Sequence, residues 1–99
     1  TGGRAEAAGA LRYLASNNNT NREAIREAGG IAALVSLLSE GSDWGKAEAA
    51  AALNNLANNN TNKEAIREAG GIAPLVSLLS EGSAKGKTYA AGALRCLEQ

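Results

Sequence analysis

The sequence predicts an all-α solenoid, a stack of helical units that repeats about every 41 residues. Three observations carry this. The second half of the chain nearly restates the first: Asn21-Arg-Glu-Ala-Ile-Arg-Glu-Ala-Gly-Gly-Ile31 returns as Asn62-Lys-Glu-Ala-Ile-Arg-Glu-Ala-Gly-Gly-Ile72, and Leu34 to Ser42 returns unchanged as Leu75 to Ser83. A period near 40 residues with helical content is that of a solenoid with two or three helices per unit. Apolar residues fall at helical spacing between recognisable start and stop signals. The 44% apolar share is ordinary, but it consists largely of 22 Ala and 12 Leu, with no Phe, no Met and 3% aromatics. Such side chains suit thin layers of closely approaching helices rather than a bulky globular centre.

Taken in chain order, a helix from about Arg4 to Ser16 opens the sequence, followed by the Asn17–Asn19 turn, where Asn tolerates left-handed dihedrals. Thr20-Asn-Arg-Glu23 and Thr61-Asn-Lys-Glu64 read as capping boxes, each opening a short helix. The pairs Gly29-Gly30 and Gly70-Gly71 stop those helices. A second helix then runs from about Ile31 to Ser39 and from Ile72 to Ser80, with Ile31, Leu34, Val35 and Leu38 as one apolar stripe. Pro74 falls in its first turn, where a missing N–H costs little. Gly41 and Gly82 close it, and Ser42 and Ser83 can cap the third helix, from about Asp43 to Ala57 and from Ala84 to Glu98. The opening helix is a further copy of that third helix. The chain therefore reads as one domain: the last helix of a partial unit at 1–16, then units at 17–57 and 58–99.

Charge and composition exclude several functions. Ten basic and ten acidic residues cancel, against a nucleic-acid or anionic-membrane binder. A single cysteine and no histidine leave no disulfide and almost no route to a transition-metal site, so neither metal nor cofactor is expected. Cys96 has no histidine to activate it, which favours a packed thiol over a nucleophile. The Gly pairs lack phosphate-loop spacing. No catalysis is expected. No apolar run reaches the roughly 20 residues of a membrane span, and no signal peptide opens the chain.

The Glu-Ala-Gly-Gly-Ile junctions at 27–31 and 68–72, Leu-Val-Ser-Leu-Leu at 34–38 and 75–79, and Ala52-Leu53-Asn54-Asn55-Leu56-Ala57 resemble the armadillo repeat family over essentially the whole chain. HEAT repeats, the nearest alternative, lack the short capped first helix. The resemblance implies a right-handed α-solenoid of three-helix repeats, whose third helices line a concave groove that binds extended peptides or disordered protein segments. For a natural member the expected setting is intracellular, cytoplasm or nucleus.

Three copies of the third helix, at 2–14, 44–56 and 85–97, allow comparison within one chain. The columns Ala7/Ala49/Ala90, Ala8/Ala50/Ala91, Ala10/Ala52/Ala93, Leu11/Leu53/Leu94 and Leu14/Leu56/Leu97 are constant. The columns Gly2/Trp44/Lys85, Ala5/Ala47/Thr88, Glu6/Glu48/Tyr89, Gly9/Ala51/Gly92, Arg12/Asn54/Arg95 and Tyr13/Asn55/Cys96 differ. At roughly 100° per residue the varying positions share one arc about 120° wide. That arc carries Tyr13, Trp44 and Tyr89, all the aromatic residues of the chain, as contact surfaces often do. The first two helices also have surfaces, yet their copies differ only at Arg22/Lys63 and Ala33/Pro74. Alternatively, Tyr13 and Trp44 plug gaps in an alanine-rich core.

The resemblance places Asn55 at the family's groove asparagine, which grips a ligand backbone; capping a helix end is the other reading. Its sister positions hold Tyr13 and Cys96, and the family's groove tryptophan position holds Gly9, Ala51 and Gly92. Gly9 and Gly92 leave room for a ligand or a neighbouring side chain. Glu6 and Glu48 could receive a ligand's basic groups, and Arg12, Arg95 and Lys85 its acids. Leu11, Leu14, Leu94 and Leu97 belong to end helices with no polar cap beyond them, which predicts homo-association by stacking or helix exchange. The chain then reads as an excised or designed part of a longer array.

Overall fold

The computed structural model describes residues 2–98. They form seven helices: α1 (Gly2–Ala15), α2 (Asn19–Glu27), α3 (Gly30–Glu40), α4 (Asp43–Leu56), α5 (Asn60–Glu68), α6 (Ile72–Glu81) and α7 (Ala84–Glu98). No strand occurs among the described residues. α2–α4 and α5–α7 follow one another as two sets of three helices, with α1 before them. α1, α4 and α7 lie side by side as one layer, with α3 packed against α4 and α6 against α7 behind it. α4, at the centre of the layer, is covered on both sides: Ala49, Ala50, Ala52, Leu53 and Leu56 are fully buried. Alanine there lets three long helices approach closely, which accounts for the composition.

The first helix of each unit starts earlier than the predicted capping boxes. Asn18 and Asn59 are the N-caps, their side-chain carbonyls accepting from the Asn21 and Asn62 amides at 2.9 and 3.0 Å. Thr20 and Thr61 already lie inside the helix. An Asn oxygen two residues upstream closes the first turn as well as a Thr hydroxyl would, and helix begun there cannot be capped again. The loop after α1 is one residue longer, relative to its leucine register, than the loop after α4. Asn17 absorbs the extra residue with φ 56°.

The paired glycines divide two tasks. Gly29 and Gly70 take left-handed φ values of 85° and 79° and end α2 and α5. Gly30 and Gly71 instead allow close approach: a Cβ on Gly30 would lie 2.5 Å from Ile25 Cγ2, and one on Gly71 2.8 Å from Ile66 Cγ2. Gly30→Ala is therefore expected to destabilise by about 1–3 kcal/mol through overpacking. Gly29→Ala, which meets no atom, should cost about 1 kcal/mol from its dihedral alone. Urea denaturation of both variants checks the order. Ser42 and Ser83 cap α4 and α7, accepting from the Gly45 and Gly86 amides, each at 3.1 Å.

Behind the layer, the apolar stripe of α3 includes Leu37, which the sequence reading passed over. Ile31, Leu34, Leu37 and Leu38 are buried and Val35 is half-buried. In α6 the same apolar stripe buries only Leu75 and Leu78, leaving Ile72, Val76 and Leu79 at 42%, 49% and 39% exposure. The stripe has two edges: one meets the third helix of its own unit, the other meets the next unit.

Candidate functional site

The variable columns face out from the α1–α4–α7 layer, but they form a partly closed surface rather than a free one. On α4, Ala47 and Ala51 are buried and Glu48, Asn54 and Asn55 are half-buried, because flanking helices stand on either side. A cleft of about 200 Å³ is lined by Arg12, Tyr13, Ser16, Ala51, Asn54, Asn55 and Tyr89. A second depression of about 390 Å³, toward the start of α4, is lined by Asp43, Trp44, Ala47, Glu48, Ser83, Ala84 and Lys85.

Asn55 has its orientation fixed by α1. Its Nδ2 donates to the Arg12 carbonyl at 2.9 Å, closing an open carbonyl near the end of the neighbouring helix. One amide hydrogen is thereby used inside the molecule, and Oδ1 accepts from no described residue. The capping and gripping readings of this residue are compatible, since the cap is what holds the amide still. Tyr13 is 74% exposed beside it, with the Arg12 guanidinium carbon 4.8 Å from the ring centroid. Tyr89 is half-buried, resting on the core. Trp44 is 51% exposed at the other depression. Tyr13 and Trp44 therefore do not plug core gaps.

Between the depressions, Arg12 Nε lies 3.0 Å from Glu48 Oε1. Both atoms are buried and not aligned as a hydrogen bond, so the attraction is ionic rather than directional. The pair neutralises the central charge of the groove. The glycine notches face the protein's own side chains, tightly at Gly92 and in ordinary contact at Gly9. A Cβ on Gly9 would come 3.4 Å from Glu48 Oε1, and one on Gly92 2.8 Å from Asn54 Nδ2. Cys96, half-buried, donates its thiol to Asn54 Oδ1 at 3.4 Å. Glu6, Lys85 and Arg95 are exposed on the same helices, and of these only Lys85 lines a depression.

The sequence reading missed Ser16, Asp43, Ser83 and Ala84 as lining residues. They lie at helix ends, outside the columns that could be aligned. It also missed a buried polar junction. Asn62, fully buried, accepts from Arg26 Nη1 at 2.8 Å and donates to the Leu56 carbonyl at 3.0 Å and the Arg22 carbonyl at 3.3 Å. Asn59 Oδ1 lies 3.5 Å from Arg26 Nη1, and Asn59 Nδ2 donates to Asn19 Oδ1 at 2.9 Å. The capping-box reading gave Asn62 no role of its own, so no signal singled it out. Of the four leucines expected at the ends, Leu14 is 50% exposed, Leu11 and Leu94 are half-buried and Leu97 is buried at 3%. At the C-terminal end the exposed apolar side chains are those of α6.

Armadillo/beta-catenin-like repeats match residues 18–58 and 59–95. No curated protein matches the sequence. Among solved structures the chain is similar to an engineered protein at 38% identity and a TM-score of 0.89, covering 93% of this chain and 38% of that one. It is similar to the designed armadillo repeat protein YIII(Dq)4CqI at 33% identity and a TM-score of 0.87, covering 93% of this chain and 39% of that one. A further designed armadillo repeat protein, YIII(Dq.V1)4CPAF, was solved in complex with the peptide (KR)4 and matches at 35% identity, with a TM-score of 0.87 over 93% of this chain and 39% of its own. The chain thus spans well under half the length of these structures.

Proposed function

The chain belongs to the armadillo repeat family, and from that premise we propose that it is a non-catalytic scaffold binding an extended peptide across α1, α4 and α7. The observation that carries this is the 200 Å³ cleft in which Asn55, oriented by the Arg12 carbonyl, stands between Tyr13 and Tyr89. A held amide offers an acceptor and a remaining N–H to a peptide backbone at little entropic cost, and aromatic faces supply apolar contact. The (KR)4 complex of a designed relative supports the ligand class. Here Arg12 offsets Glu48, so a purely basic peptide has no special advantage at the centre of the groove.

A peptide-display screen tests this. Hits are expected to lose about tenfold or more in affinity, roughly 1.4 kcal/mol, on Asn55→Ala and on Trp44→Ala. Hits that bind both variants and Glu48→Ala as well as the parent would reject this groove. A second reading, association between copies, draws on a different surface: the exposed apolar side chains of α6 at one end and of Leu14 at the other.

A further inference from the structure

The junction between the two units is a template for contacts that the outer faces of α2–α3 and of α6 leave half made. Inside the chain, α3 of the first unit presents Ile31, Val35 and Leu38 to the second, where Val35 Cγ2 lies 3.3 Å from the Cβ position of Gly71. Arg26 reaches across to Asn62 and Asn59. Each of these residues recurs 41 positions away, as Ile72, Val76, Leu79, Arg67, Gly30, Asn21 and Asn18. At the C-terminal end Ile72, Val76 and Leu79 repeat the giving half and are exposed, and Arg67, lacking an asparagine, turns its Nη2 to the Leu97 carbonyl. At the N-terminal end Asn18, Asn21, Ile25 and Gly30 repeat the receiving half. There an apolar groove of about 330 Å³ runs along Leu11, Leu14, Ile25, Gly30 and Ala33.

Simple stacking cannot join these halves. α1 stands to α2–α4 as α4 stands to α5–α7: Asn21 Nδ2 donates to the Leu14 carbonyl at 2.8 Å as Asn62 Nδ2 donates to that of Leu56 at 3.0 Å. A second copy whose α5–α7 unit met the groove would bring its α7 into the place α1 already fills. The two helices share the constant Ala and Leu columns, so either can cover α4.

Resting on the association between copies raised above, we propose that this chain assembles head to tail by helix exchange: α7 of one copy replaces α1 on α4 of the next. Ile72, Val76 and Leu79 then cover Ile25, Gly30 and Ala33 of that copy, and Arg67 finds its Asn21 and Asn18. The interface is heterologous and open-ended, and α1 acts as a built-in competitor that limits it.

Sedimentation of the full 99-residue chain over a range of concentrations tests the proposal. The mean mass of the parent is expected to rise with concentration. Val76→Glu disables the giving end and Ala33→Glu the receiving end, both at exposed positions. Each variant alone should remain monomeric, and an equimolar mixture should form a dimer and stop there. Leu11→Ala, which loosens α1 without touching the exchanged interface, should strengthen assembly several-fold in a variant whose circular dichroism matches the parent. Association that survives both charge variants, or that Leu11→Ala weakens, would keep association but overturn this junction. A parent that stays monomeric throughout would overturn both.

Discussion

Leu56→Ala is expected to lower stability by about 3 kcal/mol, within the range for truncating a fully buried leucine. Leu56 is fully buried, near the end of the central long helix, with α1 and α7 on either side. For a chain of this length that corresponds to a fall in Tm of roughly 15 °C. Marginal domains hold only about 5–15 kcal/mol in total, so a large share would be lost. Leu14→Ala provides the control. It removes the same side chain from the same column of the repeat, but Leu14 is 50% exposed and should cost about 1 kcal/mol. The two transitions, followed by circular dichroism during heating, should separate clearly. Equal losses would mean that α1 and α4 are equally buried in solution, through association of the ends or a different packing of the layer.

That contrast also marks what the sequence made legible. The period, the glycine stops at Gly29 and Gly70, and the serine caps at Ser42 and Ser83 could all be read, because each is a local rule enforced within a few residues. Position in the stack could not be read from any column. Leu14 and Leu56 are identical in pattern, as are Ile31 and Ile72, yet one of each pair is buried and the other exposed. Burial in a solenoid is a property of neighbours one unit away, and among the described residues the outer faces of α1 and α6 meet none. The groove was legible as an arc of disagreement between copies. Its half-closed form was not, since Ala51 and Glu48 are covered by helices contributed from 42 residues before and 41 after. The glycine notches show the same limit: room at Gly9 and Gly92 was predictable, but Glu48 and Asn54 as occupants were not.

Asn62→Ala is expected to cost about 3 kcal/mol, as much as a core leucine, although it removes a polar side chain. Asn62 is the only buried polar residue among the described residues, and it connects three parts of the chain. Its carbonyl accepts from Arg26 on the first unit, and its amide donates to the carbonyls of Leu56 and Arg22. Alanine would leave the Leu56 carbonyl without its partner and Arg26 Nη1 with only the longer 3.5 Å contact to Asn59, where water reaches poorly. An unsatisfied buried group costs about 1–3 kcal/mol, more when charged. Asn21, the same residue one unit earlier, donates to the Leu14 carbonyl at 2.8 Å but is only half-buried. Water can replace it, so Asn21→Ala should cost about 1 kcal/mol or less. Because Asn62 joins the units, its loss should also weaken their coupling, and a repeat protein with weak coupling unfolds less cooperatively. Urea denaturation should therefore show both a lower midpoint and a smaller m value for Asn62→Ala, but only a slightly lower midpoint for Asn21→Ala. A double-mutant cycle with Arg26→Met should give a coupling of about 1–2 kcal/mol. An Asn62→Ala variant as stable as Asn21→Ala, with an unchanged m value, would mean that water enters the junction freely and that the apolar contacts of Ile31, Val35 and Leu38 hold the units together alone.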